Sequence, residues 1–140
     1  MGESVVAGAC LCGAVRFEVS GPVEPVVHCH CTMCQRAHGA AFATWAALPS
    51  ERVRVTAGEA DVVHYRSSGV GTRSFCRVCG SSMFCTLDTH PGTIDVAVGC
   101  LAPGHGAVPR AHVFWDDRAG WVELADGLAR LGGKTGMEPR

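Results

Sequence analysis

The sequence of 140 residues has no excess of charge of either sign, because 12 Lys and Arg residues stand against 13 Asp and Glu residues and the formal net charge is −1. Nucleic-acid-binding domains carry a basic face, and membrane-surface binders carry polybasic segments. The balanced charge therefore predicts no nucleic-acid partner and no membrane partner. No apolar run approaches the roughly 18 residues that cross a bilayer, and no cationic signal region is evident. These absences predict a cytoplasmic protein.

Aromatic residues are also scarce, at 6%, whereas glycine occurs 18 times. A domain of this length and composition is expected to have a thin core that needs support besides packing. Apolar and polar residues alternate over short segments, as in half-buried β-strands. These segments are 14–19, 26–31, 41–47, 52–56, 61–66, 72–76, 82–86, 94–99 and 111–115. The predicted fold class is mainly β, built from antiparallel sheet.

Helical periodicity is almost absent. The segments 35–38 and 126–131 each predict no more than one short helical turn. The polar, glycine-rich segment 132–140 predicts a flexible C-terminal tail. Because no repeat and no internal linker interrupts the rest of the chain, we expect a single domain over residues 1–131.

The chain contains nine cysteines, whose side chains can bind metal ions or act as nucleophiles. In a reducing cytosol such a number indicates metal ligands or free thiols rather than disulfides. Seven of the nine fall into three tight groups. They are Cys10 and Cys12, then Cys29, Cys31 and Cys34, then Cys76 and Cys79.

The first and last groups have the spacing of zinc ligands. Alternate residues of an extended strand share a face, so the sulfurs of Cys10 and Cys12 are expected side by side. Cys76 and Cys79 are followed by Gly80, as in a zinc knuckle whose glycine takes a positive φ. The simplest partition joins these four cysteines in one closed zinc site. Binding at such a site adds on the order of 10–16 kcal/mol to folding, which would support the thin core.

Cys29, Cys31 and Cys34 are then left with three ligands and one open tetrahedral position, the feature that separates catalytic from structural zinc. Three thiolates favour a further sulfur ligand over hydroxide, and a thiol that enters the fourth position loses its proton. The expected substrate is a small thiol or its adduct. A second structural metal, closed by Cys85, Cys100 or a histidine, is the alternative.

Several segments together resemble one known family. They are Gly8-Ala9-Cys10-Leu11-Cys12-Gly13-Ala14-Val15-Arg16-Phe17, His28-Cys29-His30-Cys31-Thr32-Met33-Cys34-Gln35-Arg36, Phe75-Cys76-Arg77-Val78-Cys79-Gly80-Ser81, His112-Val113-Phe114, Trp121 and Asp126-Gly127-Leu128. Over about residues 8–131 the chain resembles the glutathione-dependent formaldehyde-activating enzymes, also called the GFA or CENP-V/GFA domain family. Cys100 departs from the family pattern.

The resemblance implies an Mss4-like, all-β fold that binds two zinc ions. It assigns Cys10, Cys12, Cys76 and Cys79 to a structural zinc, and Cys29, Cys31 and Cys34 to a catalytic zinc. It also implies a carbon–sulfur lyase reaction run toward addition, in which formaldehyde and glutathione give S-hydroxymethylglutathione. The substrates expected from it are a small thiol such as glutathione and a small aldehyde.

Other polar residues offer weaker signals. His28 and His30 alternate with the cysteines, so they are expected to face away from the metal. His112 is either a proton shuttle or a hydrogen-bonded histidine within the sheet. The carboxylates of a glutathione-like substrate would suit a guanidinium group. The candidates for this contact are Arg36 and His38, next to the Cys29, Cys31 and Cys34 group in sequence, and Arg66, Arg73 and Arg110 elsewhere.

Two further hypotheses concern the whole protein. One is a non-catalytic, zinc-stabilised Mss4-like module that binds a protein or senses a thiol. The other is methionine sulfoxide reduction, for which Cys85 or Cys100 would have to be a redox cysteine.

Overall fold

A computed structural model describes residues 4–140, so the first three residues of the predicted domain 1–131 lie outside the described part. The chain divides into two compact units. The first contains the residues up to Glu24 and Ala46–Ala107, and the second contains Pro25–Trp45 and Val108–Arg140. Over the described range, no helix has the length and apolar character needed to span a membrane.

The secondary structure is mainly β, as the sequence predicts. The strands are β1 (Val5–Ala9), β2 (Arg16–Ser20), β3 (Val26–Cys29), β4 (Ala43–Pro49), β5 (Val53–Ala57), β6 (Val62–Arg66), β7 (Gly71–Cys76), β8 (Ser82–Leu87), β9 (Thr93–Ala97), β10 (Pro109–Val113), β11 (Ala129–Gly132) and β12 (Glu138–Pro139). The α-helix is α1 (Thr32–His38), and 3₁₀ turns occupy Ser50–Arg52, Glu59–Asp61, Val98–Cys100 and Trp115–Asp117.

The first unit contains an antiparallel sheet in the order β1-β2-β5. Phe17 and Val19 of β2 are buried, whereas Arg16 is exposed, which is the alternation expected of a half-buried strand. Gly8 of β1 lies under the ring of Phe17, because a Cβ atom at this position would be 2.3 Å from Phe17 Cζ. This unit also contains hydrogen-bonded strands in the order β4-β9-β8-β7-β6. Of β4, only residues 46–49 belong to it. Phe84 of β8 packs edge to face on Phe17, with ring centroids 4.9 Å apart.

The second unit contains strands in the order β12-β11-β10-β3-β4, with residues 43–45 of β4. Although most pairs in the protein are antiparallel, β10 is parallel to both β3 and β11. The antiparallel prediction therefore needs this correction. Parallel neighbours require long connections, and β3 and β10 are far apart in sequence. Short-range alternation predicts strands but contains no information on their relative direction.

The predicted helical turn at 35–38 is confirmed as part of α1. Cys31 is its N-cap residue, and Gly39 ends it with φ 57°. The second predicted turn, at 126–131, is wrong, because Ala129–Gly132 forms strand β11. Gly127 weakens a helix there. The Arg130 guanidinium donates to the carbonyl oxygens of Leu124, at 3.2 Å, and Asp126, at 3.1 Å, and so holds the segment in an irregular turn.

The predicted tail has specific partners. Leu131 of β11 pairs with Pro139 of β12 in an antiparallel register. Arg140 Nη2 lies 2.9 Å from the carboxylate of Asp116. The flexibility of residues 132–140 and the single domain over residues 1–131 stay predictions.

Candidate metal centres

Cys10, Cys12, Cys76 and Cys79 come together in the first unit, with their four Sγ atoms within 4.8 Å of one another. Cys12 Sγ lies 3.6 Å from Cys10 Sγ and 3.9 Å from Cys76 Sγ. A disulfide would bring two sulfurs to about 2.05 Å. A tetrahedron with Zn–S bonds of about 2.3 Å has S···S edges of about 3.8 Å. The four-cysteine group therefore has the dimensions of a tetrathiolate metal site.

Two glycine turns shape this four-cysteine group. Gly13 N donates to Cys10 O at 3.2 Å, and Gly80 N donates to Cys76 O at 2.8 Å. Both glycines have a positive φ, 79° for Gly13 and 80° for Gly80. The positive φ predicted for Gly80 is confirmed. Each turn folds the chain back so that its two sulfurs face the same point.

Polar hydrogens point at the sulfurs of the four-cysteine group. Val15 N donates to Cys10 Sγ at 3.3 Å, and Val78 N donates to Cys76 Sγ at 3.4 Å. Such bonds stabilise negative charge on sulfur. Donors aimed at sulfur are what a metal-bound thiolate requires.

Ser81 links the two turns and was not singled out by the sequence. Its hydroxyl lies 3.2 Å from Cys79 Sγ and accepts a hydrogen bond from Leu11 N at 2.9 Å. The hydrogen bond from Ser81 lowers the pKa of Cys79 to about 5. The sequence signal for this role is the position of Ser81 directly after the Cys-x-x-Cys-Gly motif, where a hydroxyl is close to the thiol of Cys79.

Cys29, Cys31 and Cys34 come together in the second unit, again with Sγ atoms within 4.8 Å. Cys29 ends β3, Cys31 precedes α1, and Cys34 lies buried in the first turn of the helix. Cys34 N donates to Cys31 Sγ at 3.3 Å, and Trp45 Nε1 donates to Cys34 Sγ at 3.4 Å. Within the described chain, no fourth cysteine, histidine or carboxylate joins this three-cysteine group.

The neighbouring thiols hinder the ionisation of Cys29. Hydrogen bonding with the Cys31 and Cys34 thiols, reinforced by burial, raises the pKa of Cys29. A cation would offset this repulsion, and soft sulfur donors favour zinc over hard ions such as magnesium. The three-cysteine and four-cysteine groups could therefore each hold a metal ion, and their chemistry fits zinc.

His28 and His30, which alternate with Cys29 and Cys31, do not join the three-cysteine group and have other partners, as strand alternation predicts. His28 Nδ1 lies 2.8 Å from Thr44 Oγ1, and His30 Nε2 lies 2.8 Å from His112 Nδ1. His30 and His112 are fully buried. Burial is the main cause that lowers the pKa of His30 to about 4, with the neighbouring His112 adding to it. At neutral pH the His30 ring is therefore uncharged.

The polar contacts continue from His112 to Asp126. Both carboxylate oxygens of Asp126 lie 3.0–3.1 Å from His112 Nε2. Arg130 Nη1 donates to Asp126 Oδ1 at 2.8 Å. The hydrogen bond from His112 lowers the pKa of Asp126 to about 2. His112 is thus the hydrogen-bonded histidine of the two predicted alternatives, and its link to Asp126 was not predicted.

Aromatic rings enclose this part of the second unit. The Trp115 ring lies 5.0 Å from the rings of both His30 and His112, and the Phe42 ring lies 5.0 Å from that of His30. Phe114, which precedes Trp115, has φ 53°, a conformation that costs a bulky residue energy. It turns the chain out of β10 so that Trp115 can cover the two imidazoles.

The predicted carboxylate-binding residues are distributed over both units. Arg66 is paired with Asp88 in the first unit, which also contains Arg73. Arg36 and Arg110 are exposed and belong to the second unit. His38 packs on Trp45, with ring centroids 5.0 Å apart. Arg36, on α1 two residues after Cys34, is the candidate nearest in sequence to the three-cysteine group.

The two remaining cysteines belong to the first unit and to neither group. Cys85 is buried in β8, where it is paired with Arg73 in the strand register. Cys100 Sγ donates to Ser82 O at 3.5 Å. The alternative in which Cys85, Cys100 or a histidine closes the three-cysteine group stays a prediction.

Comparison with known proteins finds similar sequences in one family. The sequence model of the glutathione-dependent formaldehyde-activating enzyme family, GFA, matches residues 5–117. A Halomonas elongata protein provisionally named as such an enzyme is 26% identical over 124 residues, covering 84% of this chain and 79% of that protein. A Colletotrichum graminicola protein with the same provisional name is 28% identical over 117 residues, covering 81% of this chain. The matched part is 54% of the Colletotrichum protein, about half its length.

A solved structure gives the same result for the fold. The crystal structure of a Rhodobacter sphaeroides protein superimposes with a TM-score of 0.60 and 28% sequence identity. The superposition covers 74% of this chain and 97% of the other. The family match includes all seven clustered cysteines. This chain belongs to the glutathione-dependent formaldehyde-activating enzyme family.

Proposed function

We propose that this protein is a zinc-dependent enzyme that joins a small thiol such as glutathione to a small aldehyde such as formaldehyde. The carrying observation is the three-cysteine group, whose three sulfurs could hold a metal ion. A tetrahedral ion held there would have one position left for a substrate. Membership of the family and the provisional names of the two relatives support this proposal. The cytoplasmic location predicted from the sequence is part of it.

The two groups have different proposed roles. Cys10, Cys12, Cys76 and Cys79 hold a structural zinc, because four thiolates complete its coordination. Cys29, Cys31 and Cys34 hold a catalytic zinc. When bound there, zinc supplies Lewis acidity that lowers the pKa of an entering thiol, so that sulfur is nucleophilic at neutral pH.

The proposed reaction needs no oxidant or reductant. The thiol sulfur attacks the carbonyl carbon of the aldehyde and forms the carbon–sulfur bond. The π electrons of the carbonyl move to its oxygen, which takes up the proton that the thiol released. For glutathione and formaldehyde the product is S-hydroxymethylglutathione, and the reverse reaction is that of a carbon–sulfur lyase.

The chain contributes binding and exclusion of water. Trp45 covers Cys34 with a buried indole, whose N–H keeps negative charge on that sulfur favourable. Arg36 is an exposed guanidinium that can receive a carboxylate of a glutathione-like substrate in two parallel hydrogen bonds. Replacement of Arg36 by alanine would then raise KM more than it lowers kcat.

The test follows adduct formation by NMR with ¹³C-labelled formaldehyde, glutathione and zinc-loaded protein. The wild type and the matched control Cys100→Ser should both form the adduct faster than buffer alone. Cys31→Ser should not, because it removes a ligand of the catalytic zinc. A rate equal to that in buffer, across several thiols and aldehydes, would contradict the proposal and favour the non-catalytic binding module.

A further inference from the structure

We propose that Asp126 and His112 are positioning residues, which hold the His30 side chain in one tautomer through a hydrogen-bond chain of fixed direction. His30 is the residue between Cys29 and Cys31, so its position determines how these two ligands are presented. This inference rests on the proposed function for its catalytic consequence. The series of hydrogen bonds from Asp126 to His30, and its effect on metal affinity, are argued from the geometry alone.

Asp126 sets which atoms donate and which accept in this series of hydrogen bonds. An ionised carboxylate only accepts hydrogen bonds. Asp126 Oδ1 accepts from Leu128 N at 3.1 Å and from Arg130 Nη1 at 2.8 Å, so its charge is already paired. His112 Nε2 lies 3.0 Å from Oδ2 and must donate its hydrogen.

In the bond between the two histidines, His30 is the donor and His112 is the acceptor. His30 Nδ1 is buried without a hydrogen-bond partner, so the hydrogen of His30 is expected on Nε2, which donates to the lone pair of His112 Nδ1 across 2.8 Å. His30 Nδ1 is left without a hydrogen. No polar atom of the described residues bonds to this buried nitrogen. The reverse direction would place an unpaired N–H donor there, and it would also require a donor where Asp126 has only acceptors.

The main chain of His30 is fixed as well. His30 N donates to Val113 O at 3.0 Å, and Gln35 Nε2 donates to His30 O at 2.7 Å. Gln35 Nε2 also lies 3.0 Å from Asp117 O, which ties α1 to the turn after β10. With ring and backbone both held, the peptide between Cys29 and Cys31 has one orientation. Groups that orient ligands in this way typically change metal affinity or activity 10–100-fold when they are replaced.

The decisive variant is Asp126→Asn. Its Oδ1 can keep the bonds from Leu128 and Arg130, so its NH₂ group replaces Oδ2 and faces His112 Nε2. Two donors cannot face each other, and Oδ1, which lies 3.1 Å from His112 Nε2, already accepts from Leu128 and Arg130. We therefore expect His112 to move its hydrogen to Nδ1, which reverses the direction of the hydrogen bonds. The matched control is Asp88→Asn, which removes another arginine-paired carboxylate in the first unit. Asp126→Glu keeps the acceptor and should restore most of the loss.

Two measurements test the inference without thiol or aldehyde. Long-range ¹H–¹⁵N spectra of the wild type should show His112 and His30 both with hydrogen on Nε2, and Asp126→Asn should reverse the pattern. Competition for zinc with a chromogenic chelator should show the three-cysteine group binding 10–100-fold more weakly in Asp126→Asn. Cys31→Ser identifies which class of zinc belongs to that group. The affinity of the four-cysteine group should not change.

Either of two results would overturn the inference. One is a wild-type His112 with hydrogen on Nδ1 or on both nitrogens, which decides the matter even if Asp126→Asn fails to fold. The other is equal zinc affinity in Asp126→Asn and Asp88→Asn. A protein that shows the tautomers and the affinity change but does not accelerate adduct formation would defeat the proposed function and leave this inference standing.

Discussion

The two cysteine groups differ in how completely they surround a metal ion and in what lies behind their ligands. The four-cysteine group offers four sulfurs, and Cys12 is exposed to solvent. Its donors come from its own turns, apart from the Ser81 hydroxyl. The three-cysteine group offers only three sulfurs and is more deeply buried. A site that completes its own coordination needs little else, whereas a site that leaves a position open must have its ligands held from outside.

The surroundings of the three-cysteine group supply that outside support. His30 is connected through His112 to Asp126, and rings of Trp115 and Phe42 enclose these imidazoles. The surroundings of the three-cysteine group therefore fit the reactive role proposed for it.

The largest expected effect is on folding, from Cys76→Ser. A structural zinc site contributes on the order of 10–16 kcal/mol, which is comparable to the roughly 5–15 kcal/mol of stability that a domain typically has in total. Cys76→Ser should therefore not fold, whereas Cys31→Ser should keep a cooperative thermal transition. Circular dichroism melting curves measure this, with Cys100→Ser as control. Equal loss of Tm in Cys76→Ser and Cys31→Ser would remove the distinction between the groups.

A large but local effect is expected on metal content. Cys31→Ser should lower bound zinc from two ions per chain to one, because two thiols hold zinc poorly at a site built for three. Cobalt substitution sharpens the comparison, since adding glutathione should change the wild-type absorption spectrum and leave that of Cys31→Ser unchanged. A spectrum that never responds to thiol would show that both groups are closed.

Local sequence patterns predict the ligand sets because cysteine spacing is itself geometric. A Cys-x-Cys pair on an extended segment and a Cys-x-x-Cys-Gly turn each fix where their sulfurs point. Ser81 could be placed near Cys79 by the same reasoning. Strand alternation predicts that His30 faces away from the metal. For His112, a hydrogen-bonded role within the sheet is one of the two predicted alternatives.

The link from His112 to Asp126 could not be predicted in the same way. It depends on β10 lying parallel to both β3 and β11, and strand direction has no local signal. The apolar spacing at 126–131 suggests a helical turn, but pairing with β10 and the contacts of Arg130 override it. Long-range pairing therefore created the part of the site that residue types alone did not reveal.

A moderate effect is expected from single donors to sulfur. Trp45→Phe keeps the ring but removes the N–H that reaches the buried Cys34 Sγ, and it should cost about 1 kcal/mol of the free energy of unfolding. Ser81→Ala should cost less, because Leu11 is largely exposed and water can replace the hydroxyl. Urea unfolding of zinc-loaded protein measures both variants. The reverse order would show that the three-cysteine group is the wetter of the two.

The smallest effect concerns the C-terminal segment, which is part of the second unit. The ion pair with Arg140, together with Gly133 N, lowers the pKa of Asp116 to about 2 from an ordinary value of 3.8. Because the folded state has the lower pKa, this carboxylate adds stability above about pH 4, and the contribution is lost as the pH falls toward 2.

Asp116→Asn should therefore lower Tm slightly at pH 6, and the difference from the wild type should vanish as the pH approaches 2. Exposed Asp117 is the matched control, because within the described residues it has no ion-pair partner. Melting curves of Asp116→Asn, Asp117→Asn and the wild type between pH 6 and 2 measure the effect. A difference that does not depend on pH would mean that the segment is held by the pairing of β11 with β12 and not by charge.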